Sequence, residues 1–284
     1  MHGEFKDKGI TALLKGLAAS SYGFCLVTTR YSLPDLKAFW QTTVRETVLL
    51  RLSKEAGVHL LQQLGVRKES GVKEDFEKLV EDVKGHALTL TLMGGFLKRA
   101  FSGDIRKRDR VKFDMADEKM DGGHAFRTMA AYEQWLLRDG GEEGRREVSV
   151  LRLMGLFDRP ADSSCIEALR NESIPGLTEP LVELPEEEWE FCLSGLEAAK
   201  LITVNRNAAG ALVSLDTHPL LRAYFAKKLS AKNLIGFRKA HRRLYEHLCS
   251  TTREGSKPTL EDLQPLYQAV IHGCLAGLHQ NEVR

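Results

Sequence analysis

The chain is predicted to be mainly α-helical, and three observations carry that expectation. Apolar residues recur at three- and four-residue steps through most of its 284 residues, which is the period of a helix with one buried face. The period changes to two only around residue 207, where "LITVN" and "ALVSL" flank "RNAAG". A single apolar, β-branched run, "GFCLVTTR" (Gly23 to Arg30), reads as one buried parallel strand.

Composition narrows the class further. The length suffices for about two compact domains, and 43% hydrophobic residues mark a folded chain. The 41 basic residues nearly cancel the 39 acidic ones, so the net charge of +2 gives no reason to expect nucleic acid or an anionic membrane as the main partner. No apolar run approaches the roughly 18 residues of a membrane span, and "MHGEFKDKG" has no apolar signal core, so a cytoplasmic chain with no membrane partner is expected. Five dispersed cysteines (Cys25, Cys165, Cys192, Cys249, Cys274) form no CxxC pair, which suits reduced, mostly buried thiols.

From the N-terminus, "ITALLKGLA" (Ile10 to Ala18) has the spacing of a short helix feeding the Gly23–Arg30 strand. A lone parallel strand leaves its backbone groups unpaired, so its sheet is expected to continue outside these residues or in another chain. Val44 to Leu97 reads as wholly helical, with Gly65 and Gly103 as helix stops, and forms a small bundle. The charged, irregular run Asp104 to Gly123 reads as a linker. Four helices follow: His124 to Arg138, Arg146 to Phe157, "SSCIEALRN", and Glu186 to Lys200. The five-residue connector "RNAAG" then suits a hairpin with Gly210 at positive φ. Helices followed by such a hairpin are the pattern of a winged-helix domain. The last two segments, "LIGFRKAHRRLYEHLCS" and "LEDLQPLYQAVIHGCLAGLHQ", read as a helix pair in which small Gly273 and Ala276 permit close approach, the first unit of a helical array that is expected to run on.

Chemistry has few handles. No G-x-x-x-x-G-K-[ST] cradle, no HExxH and no G-x-S-x-G elbow occurs, so no catalytic residue and no metal site is assigned and the chain is read as not an enzyme. His241 and His247, or His272 and His279, are spaced as packing or solvated histidines rather than ligands. Arg30 stands at the carboxyl end of the expected strand, where it is either a solvated guanidinium or a group that meets a terminal phosphate. His218 precedes Pro219 where the hairpin turns into a helix; it is either the cap of that helix or, at its positive N-terminus, a donor to an anion.

Three stretches in order, a strand ending in "TTR", a bundle ending in "GHALTLTLMGGFL" and a hairpin leading into "LDTHPLLRAYFA", are followed by a helix pair. This succession resembles the NB-ARC branch of the STAND signal-transduction ATPases, and in particular bacterial members in which the core precedes tetratricopeptide-like repeats. The resemblance implies ADP or ATP as the bound nucleotide, with Mg2+ in an intact switch. It implies that Thr29 and Arg30 hold the position that reads the γ-phosphate. It implies that Gly85, His86, Ala87 and Leu88 match the G-L-P-L motif, with Ala87 in place of the adenine-packing proline. It implies that His218 corresponds to the histidine of the M-H-D motif, which binds the β-phosphate of ADP; Thr217 and Pro219 replace its neighbours.

On that resemblance residues 1–34 are expected to be the remnant of a P-loop α/β domain, 35–112 a helical domain, 113–232 a linker and winged-helix domain, and 233–284 a tetratricopeptide-like segment. The expected function is the regulatory and interaction part of an ATP/ADP-dependent switch, with protein partners on the helical repeats and homo-oligomers in the intact switch. A winged-helix transcription regulator, touching DNA through Arg206 and the basic run Ile105 to Lys112, is the alternative. The acidic "PEEEWE" ahead of the hairpin weighs against it by repelling phosphates.

Overall fold

The computed structural model describes residues 4–20, 23–29, 31–49, 51–112, 123–252 and 257–278. It is mainly helical with a small three-stranded antiparallel sheet, and it divides into two units, Met1–Leu50 and Arg51–Arg284.

The first unit carries helix α1 (Lys8–Ser20) and a 3-10 turn (Pro34–Phe39). Asp35 in the turn accepts the backbone N–H of Phe5 at 3.0 Å. Its interior is slight: Ala18 and Leu36 are buried, whereas Leu13 is exposed. The expected buried strand is not formed. Residues 24 to 29 carry no regular structure, and Phe24 is 90% exposed and Leu26 76%. The physical reason is the need for partners that led the sheet to be expected to continue elsewhere: among the described residues of this unit no second strand offers backbone partners.

The second unit begins with α2 (Lys54–Gln63), α3 (Lys73–Asp82) and α4 (Ala87–Phe101). Helix does not start at Val44 as the sequence suggests. Residues 45 to 49 are irregular, and α2 begins only after Ser53, whose hydroxyl accepts the N–H of Ala56 at 3.2 Å. Gly65 and Gly103, both at positive φ, close α2 and α4 as expected. The expected linker is also partly ordered. A 3-10 turn at Ile105–Arg110 buries Ile105 completely, and Arg108 donates to Asp75 at 2.6 Å. An apolar side chain and a paired arginine inside a basic run gave that segment a docking surface its charge pattern hid. Residues 113–122 of that linker lie outside the described ones.

Helices α5 (Gly123–Asp139) and α6 (Gly141–Met154) follow, and then strand β1 (Ala161–Asp162), α7 (Ser163–Arg170) and α8 (Glu186–Ala198). Strands β2 (Thr203–Arg206) and β3 (Leu212–Asp216) form the expected hairpin, with Gly210 at φ 82°. The sheet order is β1-β3-β2; Ala161 faces Leu215 and Val204 also faces Leu215 from the other side, with a bulge after Asn205. Helix α9 (Pro219–Lys232) leaves the sheet, and α10 (Leu234–Thr251) pairs with α11 (Leu260–Ala276). A Cβ at Gly273 would lie 3.3 Å from the Tyr245 ring, so a small residue there sets how closely the pair approaches.

One hydrophobic core runs through this unit from Leu61 to Ala269. Trp189 of α8 is its largest fully buried side chain, with the Arg170 guanidinium 4.0 Å above its ring. All five cysteines are free, but only Cys165 and Cys192 are buried. Cys25 lies on the irregular segment of the first unit, and Cys249 and Cys274 face outward from α10 and α11. The expectation of mostly buried thiols is therefore corrected.

Candidate functional site

The first turns of two helices, α4 and α9, make the site. Each starts at a histidine. His86 caps α4 through Nδ1, which accepts the N–H of Thr89 at 3.2 Å, and His218 caps α9 through Nδ1, which accepts the N–H of Leu220 at 3.2 Å. Pro219 occupies the first position of α9, where its missing N–H costs nothing. The capping role that the sequence allowed for His218 is thus the one its Nδ1 performs.

The two turns share a seam. Leu88, the second residue of α4, lines one apolar crevice together with Leu220 and Leu221 of α9 and with Ala125, Phe126 and Met129 of α5. The crevice leaves no room for a water molecule, so it is a packed contact and not a cavity for a base. Both turns are histidine-capped helix N-termini, where the helix dipole favours negative charge; at α9 the cap leaves no spare N–H, since Pro219 has none, Leu220 donates to His218 Nδ1 and Leu221 to the His218 carbonyl at 2.9 Å.

Backbone geometry fixes each turn. Gly85 stands at φ 65°, and a Cβ there would lie 2.4 Å from the carbonyl oxygen of Leu52, while the N–H of Leu52 donates to the Gly85 carbonyl at 2.9 Å. At the other turn, the Thr217 hydroxyl donates to the Leu201 carbonyl at 2.6 Å. Arg222, buried, donates Nε–H to the Thr217 carbonyl at 3.1 Å and Nη1–H to that of Phe157 at 3.3 Å, and it also reaches the carbonyl of Arg159 and the Asp216 carboxylate. A guanidinium with four partners clamps the strand-to-helix junction on which His218 stands.

Of the six residues singled out from the sequence, four belong to the second unit. Leu88 lines the crevice that Leu220 and Leu221 also line; Gly85 shapes the approach to α4; Ala87 is exposed at its first position. Thr29 belongs to the first unit, where its hydroxyl donates to the Tyr31 carbonyl at 2.9 Å and accepts the N–H of Tyr31. Arg30 lies outside the described residues, and so does His279. His241 and His272 are buried packing residues, and His247 shares a 3.0 Å hydrogen bond with Ser164. Among the described residues no three His, Cys, Asp or Glu gather as a metal would need, and no helix is long and apolar enough to cross a membrane.

Two buried carboxylates in the core of the second unit were missed. Glu133 of α5 is fully buried and accepts from Arg152 at 3.1 Å, from the Tyr224 hydroxyl at 2.8 Å and from Lys228. Burial works against its charge, but Lys228, Tyr224 and Arg152 together hold the carboxyl below the usual range. Glu147 of α6, equally buried, takes the Arg99 fork at 2.9 and 3.0 Å. There burial wins and pushes the carboxyl up, Arg99 offsetting only part. The signal was present: both glutamates occupy apolar-stripe positions, with Met129, Tyr132 and Leu136 around one and Val148 and Leu151 beside the other.

No protein-family model and no curated protein matches the chain.

Proposed function

We propose that the chain is the regulatory and interaction part of an ATP/ADP-dependent switch of the NB-ARC/STAND type, whose phosphate-binding P-loop is not among its 284 residues. The observation that carries the reading is that Leu88 and the Leu220–Leu221 turn after His218 line one apolar crevice. In that class the motifs matched by Gly85–Leu88 and by His218 bind one nucleotide, and here residues beside both motifs line one crevice, which puts the nucleotide at its border and not inside it. The winged-helix reading of α6 to β3 is supported by the three-stranded antiparallel sheet and its hairpin. The pairing of α10 with α11 supports a helical-repeat start that takes protein partners.

On this reading His218 adds affinity for the ADP-bound, closed arrangement, and loss of that contact releases the domains. Thr29 and Arg30 would read the third phosphate. The chain by itself would hold nucleotide weakly, because the Lys and backbone cradle that grip the phosphates are not in its sequence. The DNA-binding alternative gains no support: α8 opens with Glu186, Glu187 and Glu188, and Arg206 is already paired with Glu190 at 3.2 Å and the Gly210 carbonyl at 3.1 Å.

The test is a titration of the chain with MgADP and, separately, with duplex DNA. His218→Ala is expected to weaken ADP by roughly 2- to 5-fold, the scale of one contact at a helix N-terminus. Equal ADP affinity in both proteins, or duplex binding that falls steeply with added salt, would overturn the reading.

A further inference from the structure

His241 of α10 and His272 of α11 face each other inside the hairpin, 1% and 6% exposed. Their Nδ1 atoms are 2.8 Å apart, and the rings are stacked with centroids 5.0 Å apart. Phe237 meets the His241 ring edge-on at 4.3 Å, and Phe157 meets that of His272 at 6.0 Å. The Nε2 of His241 is buried without a hydrogen-bond partner.

These facts assign the protons. Two Nδ1 atoms at that distance share one proton, so one ring donates and the other accepts. An N–H at the partnerless Nε2 of His241 would be a buried unsatisfied donor, a costlier fault than an idle lone pair. His241 is therefore the Nδ1–H donor, and His272 accepts while carrying its own proton on Nε2. A third proton has no good place. On His272 Nδ1 it would set two N–H groups against each other; on His241 Nε2 it would bury an unpaired charged donor.

We propose that the His241–His272 pair is an acid-sensitive latch on the α10–α11 hairpin, closed while both rings are neutral and released when they take up protons. Among the described residues one charged group acts on the pair: Asp158, which follows α6 and favours a charged His272. It is already engaged by Arg159 at 2.9 Å. Burial outweighs it, pushing His272 down to about 4, and burial together with the neighbouring ring pushes His241 down to about 3. In the opened hairpin both imidazoles regain an ordinary value near 6.5. The open state therefore gains about 30-fold per histidine between pH 7.5 and 5.0, and roughly 1,000-fold for the pair.

Hydrogen exchange of the full chain at pH 7.5 and 5.0, corrected for intrinsic rates, tests the latch. Protection of residues 260–276 is expected to fall by roughly 100- to 1,000-fold at pH 5.0, with α5 and α6 falling far less. In His241→Phe/His272→Phe, which keeps the aromatic packing and removes both polar partners, that selective fall is expected to vanish. A fall in α11 no larger than in α5 and α6, or one that persists in the double variant, overturns the proposal. Histidine-ring nitrogen NMR of the unsubstituted chain at pH 7.5 gives a second reading should the double variant not fold. A protonated Nδ1 on His241 and a protonated Nε2 on His272 are expected; two rings in the same tautomer overturn the proposal.

Discussion

Leu88 and Leu220, the second residues of two histidine-capped helices, line the same apolar seam. Side chains at the second position of a helix lie beside its N-terminus, so the crevice they line is bordered by two helix N-termini, each with a partial positive charge. Such a pairing has an electrostatic cost unless an anion or solvent offsets it, which is why the seam and not either cap alone supports a phosphate-facing role.

The Arg222 clamp is expected to hold the α9 turn in place. Arg222→Lys keeps the charge but cannot reach four acceptors from one planar group, and is expected to cost about 2 kcal/mol. The midpoint of urea unfolding reads the loss, and faster amide exchange at Leu220 and Leu221 locates it at the start of α9. An unchanged midpoint would remove Arg222 from its positioning role.

Gly85→Ala tests the other turn. The φ of 65° and the 2.4 Å approach to the Leu52 carbonyl oxygen leave a Cβ no space without moving backbone. A loss of roughly 2 to 3 kcal/mol is expected, above the ~1 kcal/mol of positive φ alone. A thermal midpoint within about 2 °C of the unsubstituted chain would show that the turn relaxes freely.

Glu133 gives a pH-dependent signature. Its folded carboxyl lies below the unfolded value near 4.3, so the unfolded chain binds the proton more readily. The stabilisation is present above that unfolded value and is lost as pH falls through the folded one. Glu133→Gln leaves Lys228 and Arg152 without their charge partner, and is expected to cost about 3 kcal/mol at pH 7. Stability measured by urea unfolding from pH 7 to 3 should show a flatter acid limb in the variant; parallel limbs would contradict the assignment.

Much of this fold was legible because helices α5 to α11 announce themselves by period, and the β2–β3 hairpin by "RNAAG". The cap at His218 was legible too, since Asp-Thr-His-Pro ahead of an amphipathic run is a helix start. Failures came where tertiary partners decide. Strand β1 is two residues long and exists only because Leu215 and Ser214 lie beside it, more than fifty residues on. Residues 24 to 29 have the composition of a buried strand, but composition cannot supply the neighbours that make one. Ile105 sits in a run that charge alone marks as solvated, yet it is wholly buried. For the site, the motifs were readable one by one. The His86 cap and the crevice that Leu88 and Leu220 both line were not, because no local pattern encodes a shared crevice between segments so far apart in sequence.

The most direct test of the proposal that these two turns face a nucleotide is a resonance titration of the full chain with MgADP, following the His218 and His86 rings and the Leu220 and Thr89 amides. The expected result is a common, saturating shift of these four signals with a Kd on the order of 1 mM, weak because the phosphate cradle is not in this chain. Shifts at neither cap up to roughly 10 mM ADP, where a site of that affinity would be mostly filled, would contradict the account.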